Sequence, residues 1–344
     1  MAASNEQMKR ILIGFIAIFC CSIVTDGDKI GVNYGMLGDN LPPADQVVTL
    51  LNGNNIGKVK LFDPDGGALN AFANSGIDVI VGVSNSDLQA ISSSQDSANG
   101  WVNDNIVPYS STSIKYIAVG NEVLPSTQYV SYLVPAMNNI QTAIQNANLQ
   151  NIKVSTPHAF SVIGNSYPPS KGAFSDDVKD TISSILKFLS DNGAPFMVNV
   201  YPYFSYVGDS NDIHLDYALF QPTATAVTDQ DHSYSNLFDA MVDSVFSAME
   251  ALGYSNIPLI VTESGWPSAG ADAATTENAQ AYNNNLIQHV LSNAGTPKRP
   301  GTNIETYIFA LFNEDQKTGD EIERHFGLFN PDQSPAYSVN FYPN

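Results

Sequence analysis

The chain alternates between two kinds of apolar pattern. Short runs of consecutive apolar, mostly β-branched residues occur at Ile30 to Tyr34, Val59 to Phe62, Ile77 to Val83, Ile114 to Val119, Ile152 to Ser155, Phe196 to Val200, Leu259 to Thr262 and Thr306 to Phe312. Apolar residues at successive positions, rather than at every second one, mark strands covered on both faces. Segments with helical spacing lie between them: Asp45 to Leu51, Ala68 to Ala73, Leu88 to Val107, Tyr129 to Ala147, Ile182 to Leu189, Leu237 to Leu252 and Ala279 to Leu291. The first follows Pro42-Pro43, a good helix start. In the clearest, Leu237, Met241, Val245 and Met249 share one face. Ser92-Ser93-Ser94 reads as a loop or helix break.

Eight strand-like runs alternating with helices predict a parallel (β/α)8 TIM barrel, folded as a single domain over residues 28–344. An open, doubly wound sheet is the competing arrangement. No Gly-x-Gly-x-x-Gly follows any run, so a dinucleotide crevice has no support. Two connections are long, residues 201–234 and 313–330. Connections of that length in a compact domain are usually functional. Both leave the carboxyl ends of strands, where barrel active sites lie.

Two glutamates stand directly beyond apolar runs: Glu122, after Val119-Gly120-Asn121, and Glu263, after Leu259-Ile260-Val261-Thr262. A carboxylate at the end of a buried strand is costly without a partner or a task. In a barrel the fourth and seventh runs end at the same mouth. Glycoside cleavage needs one carboxylic acid to protonate the departing oxygen, and a second carboxylate to attack the anomeric carbon or activate water. Either glutamate alone could instead cap a helix or pair with an arginine. Aromatic residues are plentiful at or past strand ends: Tyr201, Tyr203, Phe204, Tyr206, Trp266 and Phe312. Their faces could stack on pyranose rings or simply pack the rim. Packing is the favoured role for Phe204 and Tyr206, and sugar contact for Trp266.

Other chemistries fit less well. The histidines, His158, His214, His232, His289 and His325, lack zinc-site spacing and are expected in loops or at the surface. A Schiff-base lysine belongs near a strand's carboxyl end. Lys58, Lys60, Lys115 and Lys153 fall at or near strand starts, leaving Lys317 as the lysine able to reach the mouth. No Gly-x-Ser-x-Gly elbow occurs.

The formal charge of the 344-residue chain is −20, which disfavours nucleic acid and anionic membranes as partners but not a neutral glycan. Residues 1–27 read as a secretory signal peptide. Lys9 and Arg10 precede the apolar run Ile11 to Val24, with a cut expected near Thr25 to Asp28. An uncleaved anchor is disfavoured because the run is short for a membrane span. Cys20 and Cys21 lie in that segment, so the mature chain has neither disulfide nor thiol nucleophile. There is no Asn-x-Ser/Thr sequon.

The residues resemble those of the plant β-1,3-glucanases, glycoside hydrolase family 17, over nearly all of the mature length. The carrying motifs are Ile30-Gly31-Val32-Asn33-Tyr34-Gly35, Val119-Gly120-Asn121-Glu122-Val123, Val200-Tyr201-Pro202-Tyr203-Phe204, Val261-Thr262-Glu263-Ser264-Gly265-Trp266-Pro267-Ser268, Phe312-Asn313-Glu314 with Lys317, and Glu321-Ile322-Glu323-Arg324-His325-Phe326-Gly327-Leu328-Phe329. The resemblance implies a secreted, retaining endo-β-1,3-glucanase with Glu122 as acid/base and Glu263 as nucleophile. It needs no metal or organic cofactor, and a monomer is expected. Expected substrate contacts are Tyr34, Asn121, Tyr201, Tyr203, Trp266, Phe312, Glu314, Lys317 and Glu323, with Asn121 touching a sugar hydroxyl or orienting a carboxylate. Asn33 stands where the family often has Cys, and could bind sugar or pair with a neighbouring strand. An appended carbohydrate-binding module, vacuolar extension or lipid-anchor signal is not expected. Cleavage of mixed β-1,3-1,4-glucan, and glucan binding with little turnover, are the alternatives.

Overall fold

The computed structural model describes residues 29–125 and 128–343; the expected signal peptide lies outside them. The barrel strands are β1 (Gly31–Asn33), β2 (Lys58–Leu61), β3 (Asp78–Val83), β4 (Ser113–Val119), β5 (Lys153–Ser155), β6 (Pro157–Ala159), β7 (Phe196–Asn199), β8 (Leu259–Ser264) and β9 (Glu305–Ile308). Their order in the sheet is β5-β4-β3-β2-β1-β9-β8-β7-β6, and every pairing is parallel.

Only Thr156 separates β5 from β6. The first pairs with β4 and the second with β7, so these two halves of one strand close the barrel. The expected eight-stranded architecture is therefore present. The half 157–159 escapes the apolar pattern because it begins Pro157-His158.

Each strand has two buried faces. Val79 and Val81 of β3 pack outward with the helices. Ile80, Ala118, Met197, Ile260 and Tyr307 form a separate cluster inside the barrel. That alternation is what a period of two requires. Lys60 pairs in register with Ile80, so it faces the lumen too. Lys58, two residues earlier, lies on the same face and meets Glu305 at 3.4 Å near the amino end.

The helical segments are as patterned, and the first long connection adds two short helices, Pro202–Gly208 and Leu215–Ala218. Leu88 to Val107 divides at Ser94, whose hydroxyl caps the helix Gln95–Asn105 by accepting from the Ser97 amide. The helix Leu237–Ala251 is buried on nearly every side rather than on one face. A hairpin of Ile163–Asn165 and Ala173–Phe174, inserted after β6, covers it. Gly172 is required there, because a methyl group would collide with the Ser244 carbonyl.

His158 corrects one expectation. It is fully buried, its ring stacked on Phe196 with centroids 4.9 Å apart. Burial pushes its imidazole down to about 3, so it stays neutral. Asn33 pairs with neighbouring strands rather than facing solvent: its amide donates to the carbonyls of Thr262 (3.1 Å) and Ile308 (3.3 Å).

Candidate active site

The carboxyl ends of the strands surround a cleft of about 960 Å³ lined by Asn121, Glu122, Tyr201, Glu263, Glu314, Lys317 and Glu323 among others. Both long connections reach it, the first through Tyr201, Phe204 and Ser205, the second through Glu314, Lys317, Glu323 and Phe326.

Glu263 reaches the mouth through an irregularity in β8. Val261 pairs with Val198, yet Glu263 pairs with the very next residue, Asn199. Ile260 faces the lumen and Val261 the helices. Strict alternation would therefore turn Glu263 outward. The extra residue, Thr262, resets the phase, as bulges beside active sites do. Glu263 is 6% exposed, and both its oxygens meet donors. The Lys60 ammonium lies 2.7 Å from Oε1, and the Tyr201 hydroxyl donates to Oε2 at 2.9 Å. Burial first, and the charges of Glu263 and Glu122 next, push the Tyr201 phenol well above its ordinary value, so it keeps its proton. This environment suits an anion.

Glu122 is held differently. It has φ of 51°, a conformation unusual outside glycine, just after Gly120 at φ of 70°. Several contacts fix this turn. The Glu122 amide donates to the Pro157 carbonyl (3.0 Å), and Asn85 both accepts from the Asn121 amide (2.8 Å) and donates to its carbonyl (2.9 Å). Strain so anchored is common at functional sites. The side chain has one amide donor, Asn199 Nδ2, at 2.8 Å from Oε1. Thr262 orients Asn199 by donating to its Oδ1 at 2.8 Å. Burial and the charge of Glu263 hold the Glu122 carboxyl above the usual range, against the opposing pull of Asn199 and Lys60. The mouth thus offers one carboxyl favoured to carry a proton and another set among donors. That is the division needed for acid and nucleophile.

Lys60 is the principal correction. It sits at the mouth, not at a remote strand start: β2 begins at Lys58, so Lys60 is its third residue. Its long side chain is 1% exposed and bridges Glu263 to Asn121 Oδ1 (3.0 Å). A lysine amid Val59 and Leu61 was the available signal, and Asn199 at the end of an apolar run was another.

Tyr34, Asn121, Tyr201, Glu314, Lys317 and Glu323 line the cleft. Trp266, Tyr203 and Phe312 do not, and their expected sugar contacts are corrected to packing. Trp266 is fully buried, donates its indole N–H to the Ala273 carbonyl at 2.8 Å, and packs against Tyr203 at 5.1 Å. Phe312 meets Tyr34 edge-on behind the wall. Phe204 shows the opposite error: it lines the cleft and is 46% exposed. Proximity in sequence to a strand end does not specify which side of the rim an aromatic takes. Among the described residues no group of three or more His, Cys, Asp and Glu side chains could hold a metal ion.

Comparison with known proteins gives one answer. The curated glucan endo-1,3-beta-glucosidase of Vitis vinifera is 49% identical over 336 residues, covering 96% of each chain. Among solved structures, the beta-1,3-glucanase and allergen CJP38 of Cryptomeria japonica pollen is 68% identical, with a TM-score of 0.90 over 92% of this chain and all of that one. A structure from a study of two plant beta-glucan endohydrolases with distinct substrate specificities is 42% identical, with a TM-score of 0.87 over 91% of this chain and all of the other. The family model for glycosyl hydrolases family 17 matches residues 30–341. From β1 to the last described turns, then, this chain belongs to glycosyl hydrolases family 17.

Proposed function

We propose that the protein is a secreted, retaining endo-β-1,3-glucanase acting on β-glucans such as laminarin, callose or fungal wall glucan. The observation that carries this reading is the asymmetry of the two mouth carboxyls: Glu263 set between Lys60 and Tyr201, Glu122 held toward its protonated form. The substrate class comes from the relatives and is supported by the cleft of about 960 Å³ at the mouth. Secretion rests on the amino-terminal pattern. Among the described residues no helix is long and apolar enough to cross a membrane.

In the first step the Glu263 carboxylate attacks the anomeric carbon while the glycosidic C–O bond breaks. Glu122 gives its proton to the departing oxygen. In the second, Glu122 takes a proton from water, whose oxygen attacks the anomeric carbon and releases Glu263. Lys60 and Tyr201 orient the nucleophile. Asn121 acts on it through Lys60.

Products from laminarin, lichenan and cellulose, resolved by chain length and by anomer, test this reading. Internal cleavage of laminarin with the β-anomer released first is expected. Activity confined to lichenan would indicate a β-1,3-1,4-glucanase, and no reducing sugar from any of them a glucan-binding protein.

The pH profile carries a further expectation. Glu122 must be protonated to act, so activity falls as pH rises through its raised pKa. The Asn199 amide favours the ionised form. Asn199→Ala should therefore raise that pKa further and move the alkaline limb of kcat/KM to higher pH. An alkaline limb that stays in place or moves down would contradict the acid role of Glu122.

A further inference from the structure

Glu314 lines the cleft, yet its side chain is 2% exposed and already engaged. Its Oε1 accepts from the Leu37 amide at 2.8 Å. Burial raises its carboxyl above the ordinary range, while Lys317, 3.9 Å from Oε2, and the Leu37 amide oppose the shift. Around this contact the loop after β1 is joined to the loop after β9. The Gln316 amide donates to the Leu37 carbonyl at 2.9 Å, and the Asp39 amide to Asp315 Oδ1 at 3.2 Å. The joined loops form one wall of the cleft, with Met36 and Leu37 as its exposed rim at 37% and 56%. Lys317, 4.0 Å from the centre of the Phe309 ring and 3.8 Å from Glu323, stands at its foot.

Gly35 supplies an independent observation. A methyl group there would fall on the Glu314 carboxylate, far inside van der Waals contact. Its φ lies outside the left-handed region, so alanine is opposed by space alone. The rim backbone is packed directly onto the carboxylate that holds it.

We propose that Glu314 is a positioning residue whose buried carboxylate locks the Gly35–Leu37 rim onto the loop after β9, and that it aids glucan binding through this lock rather than by touching sugar. The kinetic part rests on the glucan-hydrolysing function proposed above; the lock itself does not.

The test uses E314A, E314Q, G35A and the double variant G35A/E314A. kcat and KM on laminarin are measured together with hydrogen exchange at the Leu37 amide. E314A and G35A should each raise KM roughly tenfold, the scale of one charge-assisted hydrogen bond, with kcat little changed and Leu37 exchange accelerated. E314Q keeps an oxygen that can accept from Leu37 and should restore most of the wild-type KM. The double variant should be no worse than E314A, because the methyl group then has no carboxylate to displace. Effects that multiply, a loss confined to kcat, or unchanged protection of Leu37 would each overturn the proposal. If the wild-type protein leaves laminarin intact, the functional reading fails instead, and exchange at Leu37 alone decides the lock.

Discussion

Removal of the Glu263 carboxylate in a Glu263→Ala variant is expected to lower kcat on laminarin by roughly ten-thousand-fold or more, the scale seen when a covalent nucleophile is deleted. Binding of laminarin oligosaccharides should survive, because the cleft walls are untouched. Glu122→Ala should lose less, roughly a hundred- to ten-thousand-fold, the usual contribution of a general acid. The two variants should also differ in kind. On an aryl β-glucoside with a good leaving group the first step needs little proton donation, so Glu122→Ala regains glycosylation while Glu263→Ala does not. Added azide should then occupy the space of whichever carboxyl is missing. It gives the α-azide from Glu263→Ala, by direct displacement, and the β-azide from Glu122→Ala, by attack on the glycosyl-enzyme. The opposite pairing would reverse the roles of the two glutamates. An inactive Glu263→Ala that also fails to bind oligosaccharide would point to collapse of the site.

Lys60→Met is expected to have the second largest effect. Lys60 and Glu263 form a pair 2.7 Å apart with side chains 1% and 8% exposed. Removing one partner of a buried pair destabilises by about 3–5 kcal/mol, because the remaining charge has lost its compensation. Glu263 would be left with the Tyr201 hydroxyl, and Asn121 would lose the ammonium that meets its Oδ1. A fall in kcat/KM of at least roughly a hundredfold is expected, from about 3 kcal/mol of lost organisation at the nucleophile. Thermal unfolding provides a separate check. Lys60→Met should lower Tm, and Lys60→Met with Glu263→Gln should recover much of the loss, since no buried charge then stands alone. If Lys60→Met retains both Tm and activity, the pair is incidental.

These variants bear on residues that differ in how plainly the amino-acid order reveals them. Glu122 and Glu263 are visible because a carboxylate at the end of a buried strand is costly without a partner or a task. Tyr201 is visible as an aromatic at a strand end, though its bond to Glu263 is not. Lys60 is concealed by a one-residue uncertainty in where β2 begins. That shift decides whether it reads as the second or third residue of the strand. Asn199 is concealed because one polar residue after Phe196-Met197-Val198 looks like the end of a strand, which it also is. Trp266 illustrates the converse: its closeness to Glu263 in sequence suggests a sugar contact, whereas the chain turns it behind the rim to pack with Tyr203 and Tyr282.

By itself the sequence determined the alternation of strands and helices, and hence the barrel, because hydrophobic periodicity reports burial and burial dictates layers. It also placed two carboxylates at one end of that barrel, because all parallel strands finish on the same side. Tertiary structure alone decided which way side chains point at those ends. The bulge at Thr262 turns Glu263 into the mouth, the left-handed φ at Glu122 aims the partner carboxyl, and the register of β2 sends Lys60 up through the lumen to meet Glu263. Such features depend on single-residue phase and on neighbours from about 35 to 203 residues away, which a local apolar pattern does not encode.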